Sequence, residues 1–265
     1  MTDREYRENP AVSRSDLWRF HDSPEKFKFS LEHPGNPSPA LLFGQVFHKL
    51  ALEPDSFNDE FVVDPDVDRR SKEGKEAWAD FTAQAADKTI ITQDVMGTAT
   101  DMVKSLMSVQ FVPKLLSGER ETPYFWTDRA TGEPCKCRVD CLCTALKHPV
   151  IVDLKSANDA STEGFTRDAI NYGYDLQAAM YSRGVEACTG VKPLFAFIVV
   201  EKTPPYAVNV FLADDLFVTR GEMLFREFLA EYHYCKQSGN WYGYMGRNNQ
   251  INNLSLPVWL AKELI

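Results

Sequence analysis

The chain has 265 residues, 44% hydrophobic and 25% charged, which is the composition of a folded globular protein and excludes a disordered one. Its 29 Lys and Arg against 38 Asp and Glu give a net charge of −9, which excludes binding of nucleic acid through bulk positive charge. The longest apolar run, 194–200, is too short to span a membrane and residues 1–10 resemble no signal peptide, so we expect a cytoplasmic protein with reduced cysteines.

Helices dominate the predicted first part of the chain. Ser13 and Asp16 form an S-x-x-D capping pattern that predicts a helix start, and Asp22-Ser23-Pro24 predicts a second one. The three prolines and one glycine of 32–39 predict a loop. The remaining elements predicted here are helices at 40–52, 72–86 and 94–104 and a short strand at 61–63.

From Glu121 the pattern changes to strands joined by turn residues. Strands are predicted at 122–126, 135–143 and 150–155, with a hairpin turn at 131–134. A helical pattern at 162–186, strands at 194–201 and 207–212, and a long helix at 216–237 complete the chain. This order predicts one α/β domain over 1–265, in which a central mixed β-sheet is flanked by helices.

Two neighbouring predicted strands, 135–143 and 150–155, carry the most informative residues. In an antiparallel hairpin that turns at 146–147, residues whose numbers sum to 293 lie opposite each other. Asp140 then faces Asp153, and Arg138 faces Lys155.

Two opposed carboxylates repel by about 0.2–1 kcal/mol on an exposed sheet, and a cation between them reverses this effect. Carboxylates with water suit Mg²⁺ or Mn²⁺, and a lysine two residues after Asp153 can position or activate a water molecule. The alternative is that Asp140 and Asp153 are surface residues on a wet sheet face. The second acid, upstream of D-x-K and after a basic strand, favours the metal site.

Four cysteines alternate along the first of these strands: Cys135, Cys137, Cys141 and Cys143. Alternation predicts that they share one face with Val139. Such a strand extends over about 27 Å, so the thiolates cannot converge on one ion, from which each would lie only about 2.3 Å away. We therefore expect buried thiols, with neither a zinc site nor an iron–sulfur cluster.

Asp140 followed by Asp153-Leu154-Lys155 resembles the active-site motif of the PD-(D/E)XK nuclease superfamily. Further segments, in the right order, are similar to the nuclease domain of exonuclease VIII (RecE) and its relatives: the G-x-x-F-H helix at 44–50, the basic loop at 69–75, Q-x-x-x-Y at 177–181 and L-S-L-P-x-W at 254–259. This resemblance covers 6–262. It departs from the family at Val139, where the motif has proline, and at Ser156-Ala157, where relatives often have two threonines.

The resemblance implies a restriction-endonuclease-like fold whose catalytic strands lie at about 121–155. The residues it implies as metal ligands are Asp140, Asp153, the backbone carbonyl of Leu154, and His48. It implies that Lys155 holds the attacking water, that Glu121 is an upstream acid near the metal, and that Gln177 and Tyr181 orient the water or the DNA.

Several of these residues also have ordinary structural interpretations. His48 lies in a largely apolar helix and could be a core histidine, and Glu121 could be a charge at a strand entry. Gln177 and Tyr181 share a helix face because they are four apart, and could be core or surface residues. On these residues alone, both interpretations stay open.

The basic loop contains four cations, which the resemblance implies as DNA contacts: Arg69, Arg70, Lys72 and Lys75. The alternative is a solvated loop. Local phosphate contact is compatible with an acidic chain, because salt screens charges beyond about 10 Å.

The resemblance implies a metal-dependent, ATP-independent exonuclease that digests double-stranded DNA from 5′ to 3′ and leaves 3′ single strands for recombination. It further implies a bacterial or phage-encoded protein with Mg²⁺ or Mn²⁺, a RecT-like single-strand annealing partner and a ring-shaped homotetramer. Apolar residues at 241–259 are the expected subunit contact, unless they cover the chain's own core.

Two alternative functions are each disfavoured by the sequence. A repair or CRISPR-associated nuclease of the same fold usually holds an iron–sulfur cluster through cysteines near both chain ends, but residues 1–134 contain no cysteine. A non-catalytic DNA-binding protein would not need Asp140, Asp153 and Lys155 together. The sequence also contains no segment that resembles a P-loop.

Overall fold

A computed structural model describes residues 1, 3–33, 35 and 38–257. Its elements before the main sheet are α1 (Asp3–Glu8), α2 (Arg14–Asp22), α3 (Pro24–Glu32), α4 (Pro39–Leu52), α5 (Phe57–Glu60), β1 (Phe61–Val63), α6 (Lys72–Ala85), β2 (Thr89–Ile91), α7 (Gln93–Ser108) and α8 (Val112–Leu115). Strands β1 and β2 pair in parallel. The short elements among them were not predicted from the sequence. They have three to six residues each and are α1, α5, β2 and α8.

The remaining elements are β3 (Glu119–Thr127), β4 (Pro134–Cys143), β5 (Val150–Ala157), α9 (Thr162–Asn171), α10 (Tyr174–Thr189), β6 (Leu194–Glu201), β7 (Val208–Leu212) and α11 (Asp215–Ser238). The five strands form one sheet in the order β3-β4-β5-β6-β7. Only the β5–β6 pair is parallel, so the sheet is mixed, as predicted.

The predicted helix starts are confirmed by their cap geometry. Ser13 caps α2 in a complete capping box with Asp16, and Ser23 caps α3 with Pro24 at the first helical position. The predicted loop at 32–39 is shorter than expected, because Glu32 still belongs to α3 and Pro39 already belongs to α4. Residues 34, 36 and 37 of that loop lie outside the described residues.

The predicted helix at 162–186 is two helices, α9 and α10, because the chain breaks at Gly173. Gly173 has a φ of 63°, a left-handed conformation that favours glycine. A Cβ there would lie 2.3 Å from the Trp18 ring, so α2 packs closely against this junction. The break sets the direction of α10, which carries Gln177.

Both faces of the main sheet are covered. One face packs against α4 and α7, with Phe47 and Leu154 fully buried between them. The other face packs against α9 and α10, through Phe165 and Phe197 among others. No helix in the described ranges is long and apolar enough to cross a membrane.

Strand β4 exchanges its two faces near Asp140. Cys137, before this point, packs in the α9–α10 layer, whereas Cys141 and Cys143 pack in the α4–α7 layer. Glu121 of the neighbouring strand has a left-handed φ of 49° at the same level of the sheet. The prediction that all four alternating cysteines share one face is therefore wrong, because alternation assumes a regular strand.

Candidate active site

The predicted hairpin register is confirmed. Cys141 pairs with Val152 and Cys143 with Val150, and in both pairs the residue numbers sum to 293. The pairing between β4 and β5 covers only 141–143 on the β4 side, so the strands part where Asp140 would meet Asp153.

The predicted pairing of Arg138 with Lys155 is wrong, because the strands have separated before that point. Arg138 instead pairs with Glu121 of β3, with 2.9 Å between its Nε and the Glu121 Oε2. Val12 takes the vacated edge of β4 and exchanges backbone hydrogen bonds with 134 and 136. The opening between β4 and β5 is thus part of the fold.

The Asp140 carboxylate closes this opening at one point. Its Oδ2 accepts a hydrogen bond from the backbone N–H of Leu154, at 2.8 Å. This contact ties Asp140 to the chain directly after Asp153, and the two carboxylates are close enough to repel each other. The Leu154 side chain points away into the core and is fully buried, as predicted.

Three potential metal ligands meet at Asp140. His48 of α4, Glu121 of β3 and Asp140 of β4 each offer a nitrogen or oxygen ligand atom, and these atoms lie within 4.8 Å of one another. The His48 Nδ1 is 3.4 Å from the Asp140 Oδ2. Helix α4 and the consecutive strands β3 and β4 therefore converge on one site, which we call the acid cluster.

Glu121 is electrostatically strained within the acid cluster. Burial, followed by repulsion from Asp140, raises the pKa of the Glu121 carboxyl to about 8, and Arg138 offsets only part of this effect. A bound cation would favour both carboxylates in their charged form.

Asp153 and Lys155 form a buried ion pair beside the acid cluster. Asp153 is 1% exposed, and burial raises the pKa of its carboxyl to about 6 although Lys155 acts in the opposite direction. Burial alone would lower the pKa of the Lys155 ammonium, but the adjacent Asp153 outweighs it and raises this pKa. Lys155 is therefore a fixed cation at neutral pH.

Gln177 holds Asp153 from helix α10. Its Nε2 donates a hydrogen bond to the Asp153 Oδ1. Tyr181, one helical turn further, packs against Phe195, and burial raises the pKa of its hydroxyl well above the ordinary value, with Tyr6 and Asp153 adding to the effect. The Q-x-x-x-Y spacing thus brings one residue directly to the candidate site and a neutral phenol close to it.

Tyr174, which was not predicted as a site residue, contacts Lys155. The Lys155 Nζ lies 4.7 Å from the centre of the Tyr174 ring, a cation–π distance. Tyr174 precedes Gln177 by three residues, and this helical spacing could have placed both side chains on the site's face.

The residues present fit a divalent metal ion. The acid cluster offers two carboxylates and one imidazole, which are ligands for hard or borderline cations. In addition, the buried Asp153 carboxylate lies close enough to Asp140 for their repulsion to help raise the Asp153 pKa, and a cation beside them would relieve this repulsion.

A family model described as "PDDEXK-like domain of unknown function" (DUF3799) matches residues 13–253. The chain belongs to this PDDEXK-like family. Its fold is shared with the crystal structure of a "Putative exonuclease" from Eubacterium rectale, at a TM-score of 0.64 and 15% identity over 100% of this chain and 99% of the other. The predicted superfamily and fold are thereby confirmed.

A phage related exonuclease from Haemophilus somnus is more distant, with a TM-score of 0.36 and 12% identity over 64% of this chain and 85% of the other. This likeness is too low to carry an argument. No curated protein is significantly similar to the chain in sequence.

Two cations of the basic loop in this PDDEXK-like chain contact other residues of the chain itself. Arg69 pairs with Asp64, and its guanidinium carbon lies 3.4 Å from the centre of the Trp78 ring. Lys72 lies 3.9 Å from Glu76, at the long end of an ion pair. Contact of DNA with Arg69, Arg70, Lys72 or Lys75 stays a prediction.

The cysteines of β4 are buried, as predicted. They lie in three separate packing clusters, because Cys135 contacts the α2–α11 side of the molecule. Burial raises the pKa of the Cys135 thiol to about 12 and that of Cys141 to about 11. These are features of structural thiols, and the absence of a bound metal stays a prediction.

The segment predicted as a subunit contact has two parts. Trp241 and Tyr242 pack against Phe20 and Phe27 and so cover the chain's own core. Further along, the exposed apolar side chains are Tyr244, Met245, Ile251, Leu254 and Leu256. Trp259 of the L-S-L-P-x-W motif lies outside the described residues.

Proposed function

We propose that this chain is a metal-dependent, ATP-independent exonuclease that digests double-stranded DNA from its 5′ ends and leaves 3′ single strands for recombination. The observation that carries the proposal is the buried Asp153–Lys155 pair, held by Gln177 beside the acid cluster. Mutually repelling acids in a partly buried site destabilise a folded chain unless a cation joins them, so their presence supports a catalytic metal site.

The proposed metal ligands are His48, Glu121 and Asp140, with Asp153 and the backbone carbonyl of Leu154. A divalent ion held there lowers the pKa of a water molecule and neutralises charge on the leaving oxygen. Mg²⁺ suits the carboxylates, and Mn²⁺ is compatible with the His48 imidazole as an additional ligand.

Lys155 has the role of a charged hydrogen-bond donor. Because its pKa is raised, it stays protonated at neutral pH, donates to the attacking water and offsets charge on the phosphate. Gln177 orients the Asp153 carboxylate, which in turn holds Lys155. Arg138 forms an ion pair with the Glu121 carboxylate and so holds it in one orientation.

Substrate, polarity and assembly are proposed from likeness. The Eubacterium rectale protein shares the fold over 99% of its length, and its name, "Putative exonuclease", supports exonuclease activity for this chain. The resemblance to the exonuclease VIII nuclease domain supports 5′→3′ digestion of duplex ends, a RecT-like annealing partner and a homotetrameric ring in a bacterial or phage-infected cytoplasm.

The test is digestion of a linear duplex labelled separately at each 5′ and each 3′ end, with Mg²⁺ and with EDTA, and without ATP. We expect early release of the 5′ label in Mg²⁺ only, and no cleavage of covalently closed circular duplex. Early release of the 3′ label would contradict the polarity, and cutting of the circle would contradict exonuclease action.

The control for catalysis is a pair of lysine variants. Lys155→Ala should lose digestion, whereas Lys192→Ala, at an exposed position away from the site, should digest as the wild type does. Binding of duplex without any digestion by the wild type in Mg²⁺ or Mn²⁺ would favour the non-catalytic alternative.

A further inference from the structure

A small cavity of about 70 Å³ opens beside the Asp153–Lys155 pair. We call it the tyrosine cavity. The residues of its wall that matter here are Lys155, Asn158, Asp168, Tyr172, Tyr174 and Lys202. Lys155 is the charged group that the cavity shares with the candidate active site. The other wall residues are neither proposed ligands nor charged groups of that site, so the cavity extends it on the side of α9.

The ring of Tyr172 forms an open rim of this cavity. Tyr172 is 55% exposed, and its ring centre lies 5.9 Å from that of Tyr174. Tyr174 in turn lies 5.7 Å from Phe197 and 5.8 Å from Phe165. A series of aromatic rings thus runs from the core past Lys155 and ends in an open aromatic face.

The backbone under Tyr172 is held in place. Its N–H donates to the Asp168 carbonyl at 2.9 Å, and its own carbonyl accepts a hydrogen bond from Arg14. The Arg14 guanidinium lies between the rings of Trp18 and Tyr174, at 5.5 and 5.8 Å. The ring is therefore presented by a rigid junction, which lowers the entropic cost of binding a ligand against it.

The charges around the cavity decide what kind of ligand fits. Lys155 is already paired with Asp153, and the wall also contains one further residue of each charge, Lys202 and Asp168. Lys155 faces the scissile phosphate in the proposed mechanism, and the charges of Lys202 and Asp168 cancel, so the cavity has no surplus positive charge that would select a second phosphate. A neutral, flat ligand with hydrogen-bonding edges suits the open tyrosine face and the polar wall.

We propose that the open ring of Tyr172 and the tyrosine cavity beside it form a nucleoside subsite. The base next to the scissile phosphate stacks on Tyr172 outside the cavity, which is too small to enclose a base, and turns its polar edge toward Asn158, Asp168 and Lys202. This proposal rests on the proposed nuclease function, because Lys155 is the group shared by both sites. Stacking on an aromatic ring tolerates every base, as an exonuclease requires.

The test places the fluorescent base 2-aminopurine at the first or second position of the 5′ strand of a linear duplex, or in the middle of it. Binding is measured with Ca²⁺ in place of Mg²⁺. In the wild type, we expect stacking to quench the fluorescence at an end position but not in the middle. Tyr172→Phe keeps the ring and should quench equally, whereas Tyr172→Ala should lose the quenching and bind duplex ends roughly tenfold more weakly.

Ile170→Ala, which shortens a partly exposed side chain of α9 two residues before Tyr172, is the matched control and should behave as the wild type. Wild-type quenching and affinity in Tyr172→Ala would overturn the subsite. Digestion in Mg²⁺ is measured in parallel. If the wild type digests duplex and Tyr172→Ala binds and quenches as the wild type does, the subsite proposal is contradicted and the nuclease proposal is not. If the wild type neither binds nor digests duplex, both proposals are contradicted.

Discussion

At the scale of single residues, Asp140 is both a proposed metal ligand and a hydrogen-bond acceptor, and substitution can separate these two roles. Its carboxylate belongs to the acid cluster, and its Oδ2 also accepts the Leu154 N–H. Asp140→Asn keeps an acceptor but loses the charge, so we expect Mn²⁺ affinity to fall at least about tenfold by calorimetry while the protein stays folded.

Asp140→Ala removes the acceptor as well. We expect its free energy of unfolding, measured in urea, to be about 1–2 kcal/mol lower than that of Asp140→Asn, because the buried Leu154 N–H loses its partner. Equal stability of the two variants would show that this hydrogen bond does not hold the parted strands.

Glu133 gives a prediction on pH. The carboxylate is 4% exposed and accepts hydrogen bonds from His233 at 2.8 Å and Lys236 at 2.6 Å. Burial acts to raise its pKa, but these partners outweigh burial and lower it from 4.5. A lowered folded-state pKa stabilises the protein above the unfolded value and loses this effect as the pH falls through the folded value.

We therefore expect Glu133→Gln to lower the free energy of unfolding by about 1.5–3 kcal/mol at pH 7 and by much less at pH 3.5. Urea unfolding at both pH values measures this difference. Glu227→Gln, an exposed change in α11, the helix that carries His233 and Lys236, is the control and should have little effect at either pH. An equal loss at both pH values for Glu133→Gln would point to packing, not charge.

At the scale of elements, the junction between α9 and α10 positions the candidate site. Gly173 has a φ of 63° and the Trp18 ring against it, whereas Gly190 has a φ of 76° with nothing within 4 Å. Gly190→Ala should cost only the backbone strain, about 1 kcal/mol. Gly173→Ala adds a steric clash and should cost clearly more, and it should also slow digestion by displacing Gln177.

Thermal unfolding of both alanine variants, with the digestion rate of each, checks this prediction. Equal destabilisation would mean that Trp18 moves aside without cost. Unchanged digestion by a destabilised Gly173→Ala would mean that the direction of α10 does not matter for Gln177.

Much of the element order follows from local signals in the sequence. The Ser13 and Ser23 caps and the 293 register depend on residues close together in the chain, and all are confirmed. The exchange of faces at Asp140 is a different case, since it occurs where a residue of another strand, Glu121, has a left-handed conformation. Hydrophobic alternation contains no information about such a distortion.

The candidate site was predicted through resemblance more than through periodicity. His48 and Glu121 each had an ordinary interpretation, and only the packing of α4, β3 and β4 brings them to Asp140. Arg138 and Tyr174 were not predicted in their observed roles, because the first changes partner where the strands part and the second approaches Lys155 through the break at Gly173.

At the scale of the whole molecule, the net charge of −9 bears on assembly. An acidic monomer repels DNA at long range, so processive digestion requires a topological link such as a threaded ring. We expect light scattering at micromolar concentration to give the mass of four protomers. A double change of exposed residues, Ile251→Asp with Leu254→Asp, should lower that mass. A monomer with undiminished processivity would contradict the ring.

The central claim is that Lys155, held by Asp153 beside a metal-binding acid cluster, drives phosphodiester hydrolysis. The most direct test is the single-turnover digestion of a linear duplex by Lys155→Ala at saturating Mg²⁺, with Mn²⁺ affinity measured by calorimetry on the same variant. We predict a rate lower by about 10²–10³ with metal affinity largely retained, because a charged donor to the reacting groups is lost. A rate within twofold of the wild type would contradict the account.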